Sequence, residues 1–199
     1  MLVKHLGMAD YLATWQAMQT FTANRTAETP DELWILQHPP VYTMGLNGKP
    51  EHLPQNVQIP VVKIDRGGQI TYHGPGQIVA YLLIDLKRKG IGVRELVTAM
   101  EQSVKALLSS YHIQSENLQN APGVYVDGKK IAALGLRIKH GCSYHGLSLN
   151  VDMDLSPFLA INPCGYPGLE VTQTSELGIG DSIDLITTRL VSAIEQTLG

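Results

Sequence analysis

The chain has 199 residues, 15 basic against 18 acidic, a formal net charge of −3 and a hydrophobic share of 44%. That size and composition suit a globular protein with a sizeable core and exclude an intrinsically disordered one. The longest basic run, Lys87-Arg88-Lys89, reads as a solvated turn, so nothing advertises a nucleic-acid or anionic-membrane surface.

Two cysteines in unlike surroundings, Cys142 and Cys164, argue against a disulfide framework and suit a reducing compartment. Residues 1–7 lack the long apolar region of a signal peptide, and no window approaches roughly eighteen uninterrupted apolar residues. The expectation is a soluble, cytoplasmic protein.

Along the chain, residues 8–25 read as an amphipathic helix with Tyr11, Leu12, Trp15, Met18 and Phe21 in one apolar stripe. Residues 33–36 form a short apolar strand broken by His38-Pro39-Pro40, and residues 41–44 form a second. Residues 45–60, poor in apolar groups, read as an irregular connection. Three strands follow at 60–65, 69–72 and 77–85, marked by β-branched residues and Gly/Pro punctuation. The clearest helix covers 93–111, where Val93, Leu96, Val97, Met100, Val104, Leu107, Leu108 and Tyr111 share a face.

After a polar connection, residues 123–126 and 130–139 flank Asp127-Gly128, a dipeptide that favours a hairpin turn. Residues 144–151 alternate, with His145, Leu147, Leu149 and Val151 on one side and Gly146, Ser148 and Asn150 on the other. Residues 155–175 are loop-rich, with a helical turn near Pro157-Phe158-Leu159. A last helix starts at Asp181-Ser182 and buries Ile183, Ile186, Leu190 and Ile194. Strands in runs, rather than alternating with helices, predict an α+β fold: a mixed or antiparallel sheet with helices packed on it, in one domain over 1–199.

Three segments could carry chemistry. Residues 66–77, R-G-G-Q-I-T-Y-H-G-P-G-Q, combine backbone freedom with donors and acceptors on Arg66, Gln69, Thr71, Tyr72, His73 and Gln77. The segment is no phosphate loop, because the Gly-Lys-Ser/Thr ending is absent. Next, Lys129-Lys130 heads the apolar strand I-A-A-L-G; a desolvated lysine near a thiol can lower the thiol pKa, and spacing leaves open which of the two turns inward. Third, Asn162-Pro163-Cys164-Gly165 presents a cysteine on a tight turn. A metal site built from Cys142, His145, His73, His140 and Cys164 is disfavoured, since no second paired-ligand motif exists.

Taken together, residues 66–77, 130–137, 141–152 and 162–165 resemble the lipoyl(octanoyl) transferase family, the octanoyl-[acyl-carrier-protein]:protein N-octanoyltransferases. The resemblance runs from the first helix through Thr172, leaving only the C-terminal helix with little family signal. It implies a fold similar to the catalytic domain of biotin and lipoate protein ligases. It also implies Cys164 as the nucleophile that carries octanoate as a thioester, with Lys130 as the lysine that depresses its pKa and acts as acid/base. Substrate contacts are implied at Arg66, Gly67, Gly68, Gln69, Ile70, Thr71, Tyr72 and His73, at Ala133, Leu134 and Gly135, and at Gly146, Leu147 and Ser148. The implied donor is octanoyl-acyl carrier protein. The implied acceptors are lipoyl domains of 2-oxoacid dehydrogenase complexes and the glycine cleavage H protein, with no cofactor, metal, nucleic acid or membrane involved. A thioester donor needs no ATP, which fits the missing phosphate loop.

Overall fold

The computed structural model describes residues 1–48, 58–118, 121–161 and 169–199. Its strands are β1 (Leu2–Met8), β2 (Glu32–Gln37), β3 (Val41–Met44), β4 (Val61–Lys63), β5 (Ile70–His73), β6 (Gln77–Leu83), β7 (Glu116–Leu118), β8 (Ala121–Val126), β9 (Lys129–Lys139) and β10 (Cys142–Asn150). The helices are α1 (Tyr11–Ala23), the one-turn α2 (Leu86–Lys89), α3 (Val93–Ser109) and α4 (Ile183–Leu198). Among the described residues, seven strands form one sheet in the order β1-β2-β6-β10-β9-β8-β7, and β4-β3-β5 form a second, smaller one. The β1–β2 and β3–β4 pairs are parallel and the rest antiparallel, so the α+β expectation with a mixed sheet holds.

The central strands are apolar on both faces because both faces are covered. In β2, Leu33 and Ile35 enter one core while Trp34 and Leu36 enter another; in β6, Ile78, Ala80 and Leu82 separate from Val79, Tyr81 and Leu83 in the same way. The first core receives Leu96, Met100 and Val104 of α3 and Ile186, Leu190 and Ile194 of α4. Truncating a fully buried leucine there to alanine costs about 2–5 kcal/mol. The second core receives Met18 of α1. The small sheet lies on that second side, where Val41 and Ile64 meet Tyr11 of α1.

Local signals set the helix starts. Asp10 accepts from the Ala13 N–H at 2.9 Å, Ser182 from Leu185 at 3.3 Å, and the Glu95 carboxylate from the Gly92 N–H at 2.7 Å.

Several expectations need correction. β1 and β7 were not foreseen: β1 is a polar-interrupted edge strand and β7 has three exposed residues, so neither shows a period of its own. Lys87-Arg88-Lys89 is a solvated turn as expected, and that turn is helical, capped by the Asp85 carboxylate and closed by Gly90 at φ 71°. Within α1, Leu12 is exposed while Thr14 and Thr22 are buried, because the helix packs against two sheets and not along one stripe.

Candidate active site

Lys130 is buried, with 3% of its surface exposed, whereas the Lys129 side chain is 48% exposed and pairs with Glu170 at 3.2 Å. A β-bulge makes the choice. Val124 pairs with Ala132 and Tyr125 with Lys130, so Ile131 is the extra residue, and Ile131 and Ala132 both enter the first core. The alternation reverses at that point, which sends Lys130 to the same side as Ala133 and away from the first core. Lys130 Nζ donates to the Pro122 carbonyl at 3.1 Å and lies 5.1 Å over the Tyr125 ring, both of which stabilise an ammonium. Its backbone is stitched to the segment after residue 168: Lys130 N–H donates to Glu170 O at 2.9 Å, and Thr172 N–H to Lys130 O at 3.0 Å.

The segment 66–73 lies across β9. Gly67 N–H donates to Leu136 O at 2.8 Å, and a Cβ on Gly135 would stand 3.1 Å from Arg66 Cδ, so glycine eases the close approach of the loop here. The Arg66 guanidinium is buried and donates to the Thr43 carbonyl at 2.8 Å, the Thr43 hydroxyl at 2.9 Å and the Gly67 carbonyl at 3.0 Å.

Between loop and sheet is a cavity of about 50 Å³. Arg66, Gly68, Gln69, Ile70, Thr71 and His73 line it on one side, and Ala133, Leu134, Gly135, Gly146, Leu147 and Ser148 on the other. Gly67 and Tyr72 stand outside it. Tyr72 packs edge-on to Phe158 at 5.5 Å, in the core of the small sheet. A smaller enclosed pocket adjoins the cavity; the two share Thr71, Ala133 and Ser148, and the smaller one adds Lys130, Gln77 and Asn150. Cys164 lies outside the described residues.

The cavity wall also contains Tyr11, Val79, Tyr81 and His145, which sequence reasoning did not assign to it. Tyr11 had read as one member of a helix stripe, and His145 as one of the residues alternating to the same side as Leu147. His145 has φ 64°, which breaks the alternation of β10 and brings two successive residues, Tyr144 and His145, to the Asp65 carboxylate. Histidine is among the side chains that tolerate this conformation. That was the available signal, together with Asp65 standing next to Arg66.

Behind the cavity runs a buried polar chain. His38 donates from Nδ1 to Ala9 O at 2.7 Å and accepts the Tyr81 hydroxyl on Nε2 at 2.8 Å. His73 Nδ1 donates to Gln77 Oε1 at 2.7 Å. Gln77 Nε2 donates to Asn150 Oδ1 at 2.9 Å, and Asn150 Nδ2 to the Thr172 carbonyl at 3.0 Å. Burial pushes His38 down to about 4 and His73 to about 3, so both rings are neutral at pH 7. Burial likewise pushes the Tyr11 hydroxyl up to about 12. Asp65 is moved up by burial but held well below the usual carboxylate range by its hydrogen bonds from His145, Tyr144 and Trp15. The site therefore pairs an apolar groove and two buried cations, Arg66 and Lys130, with neutral imidazoles. That arrangement can hold an acyl chain and stabilise a thiolate.

Comparisons with known proteins show the family and the fold. Residues 10–195 match the family model of the lipoyl protein ligase A/B catalytic domain. An octanoyltransferase of Dechloromonas aromatica is 69% identical over 178 residues, covering 89% of this chain and 87% of that protein. One of Nitrosospira multiformis is 61% identical over 196 residues, covering 98% and 91%. Among solved structures, lipoate-protein ligase A bound with ATP superposes with a TM-score of 0.79 at 15% identity, covering 100% of this chain and 86% of that one. The biotin protein ligase of Aquifex aeolicus, in complex with biotin and ATP, superposes with a TM-score of 0.64 at 14% identity, covering 99% of this chain and 70% of that one.

Proposed function

Because the chain belongs to the lipoyl protein ligase A/B catalytic domain family and is an acyltransferase of the octanoyl-transferring kind, we propose that it moves an octanoyl group from octanoyl-acyl carrier protein to a lysine of lipoyl-domain proteins, through a thioester on Cys164. The lipoyl domains of 2-oxoacid dehydrogenase complexes and the glycine cleavage H protein are the proposed acceptors. The observation that carries the reading is a buried lysine, Lys130, at one end of a groove lined by Ile70, Leu134 and Leu147.

The Cys164 thiolate attacks the thioester carbonyl, a new C–S bond forms as the old one breaks, and the carrier's pantetheine thiolate leaves with a proton from the Lys130 ammonium. A lysine amine then attacks the acyl-enzyme, an amide forms, and Cys164 is released as the thiolate while the amine's proton passes to the neutral Lys130 amine, which restores the ammonium. Such covalent catalysis splits one hard step into two and gives ping-pong kinetics. An ammonium at Lys130 favours the thiolate. Each methylene buried in the groove contributes about 0.8 kcal/mol.

The test is incubation with octanoyl-carrier protein followed by intact-mass measurement. An octanoyl adduct on the wild type that is lost from the thioester position in Cys164→Ser supports the mechanism; no adduct, or full acyl transfer after the thiol is blocked, overturns it. The second outcome would favour ATP-dependent ligation, the chemistry of enzymes that share this fold at low identity.

A further inference from the structure

Asp65 gathers four side-chain donors at one end of the cavity. They are Trp15 Nε1 at 2.8 Å, Gln19 Nε2 at 3.4 Å, the Tyr144 hydroxyl, and His145 Nε2 at 3.3 Å. An ionised carboxylate only accepts, so His145 carries a hydrogen on Nε2. Burial keeps the ring neutral, which leaves the lone pair on Nδ1. That Nδ1 is buried and without a partner, and His145 is part of the cavity wall. Its neighbours are otherwise engaged: the Tyr81 hydroxyl donates to His38. A buried acceptor with no donor is costly, so this wall is built for a group that donates.

The order of the lining places that acceptor relative to the substrate. Lys130 lines the small pocket; Thr71, Ala133 and Ser148 line both spaces; Leu134, Gly135 and Gly146 continue to His145. Gly135 pairs with Gly146 and lies five steps along β9 from Lys130, about 17 Å of strand. If the thioester forms beside Lys130, as in the mechanism above on which this inference rests, the ω-end of the acyl chain points to His145.

We propose that His145 is a specificity-determining residue whose Nδ1 ends the acyl groove with a hydrogen-bond acceptor. The groove then accepts medium-chain acyl groups carrying a hydroxyl at the ω-end, and disfavours apolar chains long enough to cover that nitrogen. Asp65 is the positioning residue that fixes the tautomer.

The test compares 8-hydroxyoctanoyl- and nonanoyl-carrier protein, which differ by a hydroxyl in place of a methyl. In a purely apolar groove nonanoyl is the better substrate. With the acceptor in place, wild-type kcat/KM favours the hydroxylated chain about 10-fold, the order expected where a buried polar group must be matched. His145→Phe, which keeps a ring but removes both nitrogens, reverses the preference. His145→Asn, which keeps a residue tolerant of positive φ, brings the ratio toward one and serves if the first variant fails to fold. A wild type that prefers nonanoyl, or a ratio unmoved in the folded variants, overturns the proposal. Octanoyl-carrier protein is the reference in every assay: failure of wild type to transfer octanoate overturns the mechanism itself, a result distinct from failure of the ratio.

Discussion

Gly123 and Lys130 share one small space. A Cβ on Gly123 would stand 3.0 Å from Lys130 Cε and 2.7 Å from the Ala132 carbonyl, and Gly123 has φ 143°, where other side chains are strained. Gly123→Ala is therefore expected to displace the lysine head group and to cost about 1–3 kcal/mol of stability. A misplacement of this size lowers acyl transfer by as much as about 100-fold. Steady-state kinetics beside a urea melt check both effects, and unchanged transfer would show that Lys130 does not need its present position.

Lys130→Ala leaves the Pro122 carbonyl without its donor, at a cost of about 1–3 kcal/mol. It also removes the cation proposed to favour the Cys164 thiolate, so the alkylation rate of Cys164 should move to higher pH. Lys129→Ala removes only an exposed pair with Glu170, worth about 0–1 kcal/mol, and should leave the alkylation profile in place. Equal shifts in the two variants would reject the role of Lys130.

Stability should fall on mild acidification. His38 and His73 are neutral in the fold at about 4 and about 3, while an unfolded imidazole titrates near 6.5. Below about 6.5 the unfolded chain binds protons that the native one does not, so stability drops as pH falls from 6.5 toward those values. Asp65 has the opposite origin and a lower window. Its folded pKa is depressed, so its contribution is present above about 3.8 and is lost only below that. Urea midpoints between pH 7.5 and 4.5 should fall steadily, and His38→Gln should flatten the slope. A flat wild-type profile would contradict the assignment.

Asn150 ties the polar chain to the segment bonded to Lys130, accepting from Gln77 and donating to the Thr172 carbonyl. Asn150→Ala is expected to cost about 1–3 kcal/mol and to speed amide exchange first at Thr172 and Thr174, whose N–H groups bind Lys130 O and Asn150 O. Exchange that rises uniformly over the sheet would indicate global destabilisation instead of local release.

Much of the fold was legible because its elements carry their own periods. The α3 stripe, the apolar run of β6 and the Asp127-Gly128 turn are local patterns, and each became the expected element. β1 was not legible, because Lys4-His5 and Gly7 interrupt its apolar residues, and such a segment becomes a strand only when β2 offers it a ladder. The site divides in the same way. The glycines and polar groups of residues 66–73 and the small residues of 133–135 and 146–148 could be read as one set by motif, and twelve of the fourteen side by side line the cavity. Tyr11, Tyr81 and His145 could not, since they come from a helix, a central strand and a broken alternation that meet only in space.

By itself the sequence determined which residues are apolar and at what spacing, where glycine and proline let the chain turn, and which lysines and cysteines were available as reactive groups. Those are properties of neighbours along the chain. Tertiary structure decided which of two adjacent lysines is buried, because the bulge at Ile131 reverses the side-chain alternation between Ala132 and Lys130. It also decided that a histidine in a strand turns to Asp65 and leaves one nitrogen in the cavity wall. Both outcomes depend on pairing register and backbone torsion, which are set by partners distant in sequence.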